Sequence, residues 1–165
     1  MKTQVTEIAP DTFRISTFHP EFDLQFNQLL IRDEQPLLIH TGFKSMLDCT
    51  LSGIRSIIDP AQLRWIGFSH FEADECGALN ELLALVPKAQ AICSQVAAMV
   101  NLSDFVCREA RGLADKEVIN IGRHQVQFLA SPHVPHGWDA GLFFMRRKRH
   151  YSARTFFPTA ATRSP

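Results

Sequence analysis

The apolar run Trp65-Ile66-Gly67-Phe68 passes without a break into Ser-His-Phe-Glu-Ala-Asp-Glu-Cys-Gly at Ser69 to Gly77, and a helical pattern follows. That order constrains the chain more than any other feature. A short apolar run without polar alternation, bounded by polar and glycine signals, reads as a strand buried on both faces. It delivers His70, Glu72, Asp74 and Glu75 together to one strand end. Three carboxylates in so small a volume repel one another unless water, a helix N-terminus or a cation compensates them, and a divalent cation does so best.

The flanks fit the same plan. Residues 3–8, 12–18, 25–32 and 36–41 read as successive strands separated by Pro10-Asp11, His19-Pro20-Glu21 and Asp33-Glu34-Gln35-Pro36, which is a β-meander. From Lys44 to Ile58 the apolar positions Met46, Leu47, Leu51, Ile54, Ile57 and Ile58 recur at helical spacing, with Pro60 beyond the end. The spacing predicts a strand over 64–69 and a helix over 78–86, with Leu79, Leu82, Leu83 and Val86 on one face and Pro87 as the stop. A strand over 89–94, a helix over 95–102 and strands over 118–121 and 125–130 follow. Strand and helix alternating after a β-rich start predict an α/β sandwich.

A second cluster, Ser131-Pro132-His133-Val134-Pro135-His136-Gly137-Trp138-Asp139, again sits at the end of an apolar strand, and a strand resumes over 140–144. At 165 residues and 45% hydrophobic content the chain can bury a core as one domain. Cys49, Cys76, Cys93 and Cys107 show no zinc-site spacing. With no signal-peptide pattern or membrane-length apolar run, a reducing cytoplasm is the simplest reading and a membrane role is not expected. No G-x-S-x-G motif or glycine-rich phosphate loop occurs.

In extended backbone His70 and Glu72 point to the same side and can chelate one ion, which His136 would close from the other loop. Asp74 and Glu75 begin the next turn and can reach a second ion. Imidazole and carboxylate ligation without thiolate suits iron, manganese or zinc, and a carboxylate-rich set tilts toward iron or manganese. The plainer alternative is that Asp74 and Glu75 only favour the positive end of the following helix, with His70 a satisfied strand-end histidine. For His133 and His136 the plain alternative is an ordinary rigid loop. His19, His40, His124 and His150 read as surface or core histidines.

Strand-H-x-E-x-D-x-x-G-helix, a meander start and a later strand ending in a His loop together resemble the metallo-β-lactamase fold. The branch they resemble is the di-iron type of flavodiiron and oxygen-binding di-iron proteins, where Glu72 in second place separates the motif from that of the zinc hydrolases. The resemblance implies an α/β metallo-β-lactamase-type αββα sandwich, incomplete because its second half is truncated. It implies two iron ions in intact relatives, with His70, Glu72 and His136 on the first and Asp74 and Glu75 at the second. Glu75 stands where the family has His, which would make the site more anionic and keeps manganese, zinc or a single metal open. The family's bridging Asp and later His have no counterpart after Phe144.

Residues 145–165 carry six basic side chains and no acidic one, leaving 11 basic against 17 acidic residues in 1–144 although the whole chain is neutral. A neighbouring reading frame with allowed codons turns this tail into an ordinary strand and loop containing the expected Asp. The expectation is therefore a domain over 1–144 and an aberrant, frameshifted basic tail over 145–165. The expected function is a metal-binding domain that binds or reduces O2 or nitric oxide, impaired by truncation, with flavin supplied only through a redox partner. One alternative is a metallo-hydrolase in which Asp74 orients a metal-bound hydroxide. The other is an inactive remnant. O2 or a small-molecule substrate, a flavin redox partner and a second copy in a homodimer are the expected partners; nucleic acid is disfavoured, because the body is acidic and aromatic residues in the tail are sparse.

Overall fold

Alternation decides where each strand places its side chains. In the computed structural model, which describes residues 1–134 and 136–146, β1 (Thr3–Ala9), β2 (Thr12–His19), β3 (Leu24–Ile31) and β4 (Leu37–Ile39) form an antiparallel meander. β5 (Trp65–Gly67), β6 (Gln90–Ser94) and β7 (Arg111–Leu113) then extend the sheet in parallel, so that seven strands lie in sequence order. The change of direction at β4 has a cause in the chain. Parallel neighbours need a crossover, and the helical stretches supply it.

Three helices cover one face: α1 (Leu47–Arg55), α2 (Ala73–Cys76) and α3 (Leu79–Leu85). Leu30, Leu38 and Ile66 pack toward Leu51, Ile54, Leu79 and Leu82 on that side. The alternate residues Ile31, Leu37, Ile39 and Trp65 face the other way. There they meet Ile119, Val126 and Phe128 of a second, antiparallel sheet built from β8 (Val118–Asn120), β9 (Gln125–Ala130) and β10 (Gly141–Arg146). The central strands are buried on both faces, which accounts for their continuous apolar runs.

The described residues thus make a helix layer and two sheets. Leu142 and Phe144 on the outer face of β10 remain more than half exposed. Among the described residues these are three of the four layers of an αββα sandwich.

The predicted helix over 44–58 is shorter than its pattern, a 3-10 turn at Lys44–Met46 followed by α1. The predicted helix over 95–102 contains a π-turn at Ala97–Asn101. β7 has no counterpart in the sequence reading: a three-residue strand containing Gly112 is too short for period-2 alternation to register. β10 runs to Arg146, two residues into the segment set apart as a tail; residues 147–165, and the frameshift expectation resting on them, lie outside the described residues.

Candidate metal centre

β5 ends at Gly67, and the chain then bends sharply, with the Glu72 amide donating to the His70 carbonyl at 3.0 Å. Glu72 takes the extended N-cap position of α2 without capping it through its side chain. Its carboxylate is thereby free to face the loop opposite. That loop, between β9 and β10, is tied down by Gly141 N donating to Ser69 O at 2.9 Å and Ser131 N to Ala140 O at 2.9 Å.

His70, Glu72 and His136 converge there, with potential ligand atoms all within 4.8 Å of one another. His136 Nε2 lies 2.5 Å from Glu72 Oε1, and His70 Nε2 lies 3.1 Å from Glu72 Oε2. The two imidazoles meet edge to face, ring centres 4.8 Å apart. Hydrogen bonding to His136 holds the Glu72 carboxyl below its usual range, ahead of the opposing effect of burial. His70 is buried, whereas the His136 side chain is 61% exposed, so the cluster opens on one side.

Glu75 occupies the inner side of His70. Its Oε2 accepts from the Ser69 amide at 2.8 Å and the His70 amide at 2.9 Å, and lies 3.2 Å from His40 Nε2. Its Oε1 lies 3.2 Å from His70 Nδ1. Burial pushes the Glu75 carboxyl up, but the His40 and His70 contacts together bring it net below the usual carboxylate range. Asp74, in the first turn of α2, is half-buried and makes no side-chain hydrogen bond or ion pair among the described residues. It is not part of the three-residue group.

Asp139 and His40 enter the site's architecture without having been singled out for it. The buried Asp139 carboxylate accepts from the Phe71 amide at 2.9 Å and from Asn101 Nδ2 at 3.1 Å, clamping the His136 loop to the His70 loop and to the π-turn. Gly137, two residues before it, has φ +80°, a conformation that L side chains rarely adopt. A buried acid a few residues after a loop histidine was the available signal. His133 is exposed and outside the cluster. Burial raises the Cys76 thiol to about 12, and its Sγ donates to the Glu72 carbonyl, so it is not a competitive ligand. An apolar cleft of about 460 Å³, lined by Phe43, Phe71, Phe105, Ala73 and Cys76, adjoins Glu72.

A metal ion can be tested against these side chains. His70 Nε2 is buried yet makes no hydrogen bond, its separation from Glu72 being short but its geometry wrong for one. A cation between the three side chains would satisfy that nitrogen and draw charge from Glu72, so one ion fits. A second does not fit as readily, because Glu75 is already engaged.

No family model matches the chain. It is 29% identical over 162 residues to putative diflavin flavoprotein A 2 of Nostoc, covering 90% of this chain and 28% of that protein. It is 25% identical over 126 residues to flavo-diiron protein FprA2 of Clostridium acetobutylicum, covering 74% and 31%. The chain thus spans less than a third of these relatives. Among solved structures, rubredoxin oxygen:oxidoreductase of Desulfovibrio gigas superposes with a TM-score of 0.73 at 22% identity, over 86% of this chain and 38% of that one. A B3 metallo-β-lactamase with an active-site glutamic acid superposes at 0.70 and 17% identity, over 84% and 55%. Sequence and fold together make this chain a metallo-β-lactamase-fold homologue of the flavodiiron proteins.

Proposed function

We propose that the chain is an iron-binding domain of flavodiiron type, acting on O2 or a molecule of similar size, with electrons delivered from a flavin carried elsewhere. The observation that carries this reading is the buried His70 Nε2, which makes no hydrogen bond and faces Glu72 beside His136. His70 and His136 would hold the ion through nitrogen and Glu72 through oxygen. Iron, when bound, supplies redox chemistry that the side chains lack.

The side chains divide the remaining work. Glu72 reaches both histidines and balances the charge of the ion. Asp74, unpaired among the described residues, is the carboxylate left to exchange protons with a bound substrate. The apolar cleft beside Glu72 gives a small apolar gas a favourable approach and discourages water.

Anaerobic loading with Fe(II), followed by gel filtration and elemental analysis, tests the reading. Iron should co-elute with the protein, and His70→Ala should abolish retention while leaving the chain folded. Retention by His70→Ala equal to that of the unmodified chain would refute the assignment.

A further inference from the structure

Resting on the metal reading above, we infer that this site is built for one ion, and that Glu75 is not a ligand but a positioning residue acting on His70, with His40 behind it. Glu75 has no oxygen to spare. Its Oε2 accepts from two backbone amides with His40 Nε2 3.2 Å away, and its Oε1 lies 3.2 Å from His70 Nδ1, so both oxygens already face partners. Turning Glu75 toward a second ion would strip the Ser69 and His70 amides of their acceptor inside the protein.

The arrangement instead prepares His70. With Nδ1 held on Glu75, the ring presents Nε2 to Glu72 and the His136 side. A carboxylate behind a metal-binding imidazole sets its tautomer and ring plane and raises its basicity.

His40 completes the support. It follows β4 with φ +67°, an unusual conformation for a residue other than glycine, and its amide donates to Gly67 O at 2.8 Å. From there its ring reaches Ser69 Oγ at 3.0 Å as well as Glu75. The ends of β4 and β5 are therefore joined through one buried carboxylate. Among the described residues the only group of three or more suitable ligands that converges is His70, Glu72 and His136, which leaves Asp74 without the companions a second ion requires.

Anaerobic titration of the metal-free full chain with Co(II), followed by its visible d–d bands and by calorimetry, tests this. One equivalent per chain is expected, and two equivalents would overturn the single-ion inference. Glu75→Gln should keep the stoichiometry at one, shift the d–d bands and weaken Co(II) binding by about ten- to a hundredfold. Unchanged bands and affinity would overturn the positioning role. Should Glu75→Gln fail to fold, His40→Gln carries the same test with a smaller loss of affinity, and no loss overturns it. His70→Ala separates the two levels. If it abolishes binding while Glu75→Gln changes nothing, only the present inference falls; if it binds Co(II) as the unmodified chain does, the metal assignment itself falls.

Discussion

Replacing Asp33 by Asn tests how the sheet that carries the His136 loop is fastened to the rest of the fold. The Asp33 side chain is fully buried in the turn between β3 and β4. It accepts from the amides of Glu34 at 2.8 Å, Arg123 at 2.9 Å and His124 at 2.8 Å, and His124 Nδ1 lies 2.6 Å away. Burial alone would raise this carboxyl, but the amide hydrogen bonds outweigh it and bring it from 3.8 down to about 2. A carboxyl depressed in the folded state stabilises the fold above its unfolded value and loses that contribution as pH falls through the folded one. The interval between 3.8 and about 2 corresponds to about 2 kcal/mol at neutral pH. Asn keeps the shape but turns a donor toward amides that need an acceptor, so the variant should lose at least about that much. Urea unfolding followed by circular dichroism, at a series of pH values from about 7 to about 2.5, measures the difference. The two proteins should differ by about 2 kcal/mol near neutrality and converge as the pH drops below about 4. Equal midpoints at neutral pH, or a gap that stays constant into acid, would refute the reasoning.

Asp139→Ala should unfasten the His136 loop, because it removes the acceptor of the Phe71 amide and of Asn101; Fe(II) affinity measured by anaerobic titration should fall about tenfold or more. Thiol labelling should be ordered by exposure. Cys107 is exposed and should react first, whereas burial pushes Cys76 and Cys93 to about 12, so mass spectrometry should find them modified only on unfolding. Gly53→Ala should destabilise the chain by about 1–3 kcal/mol in thermal or urea unfolding, since a methyl group there would drive into Ile15 where α1 crosses β2.

The meander, the strand at 65–67, α3 and the strands flanking Gly122 were all legible because their apolar residues recur at the period of the element they form. β7 was not, because its three residues are held by pairing with β6 and not by local preference. Among the site residues, the spacing of His70 and Glu72 after an apolar strand pointed to a shared side, and the structure brings His136 to them from 64 residues away. Glu75 shows where spacing is weakest. Adjacent to Asp74 in sequence, it turns inward while Asp74 does not, since α2 sends neighbouring side chains about 100° apart.

The chain's own pattern determined the layered α/β architecture, the placing of His70, Glu72, Asp74 and Glu75 at the end of a buried strand, and the existence of a second histidine loop, because burial period and strand ends are local properties. Only the tertiary structure decided which of those groups face one another. Pairing of β4 with β5 brought His40 against Glu75, and packing of the second sheet on the first brought His136 to Glu72 and Asp139 to Phe71. Contacts between residues distant in sequence depend on how the sheets register and pack, and no local spacing encodes that.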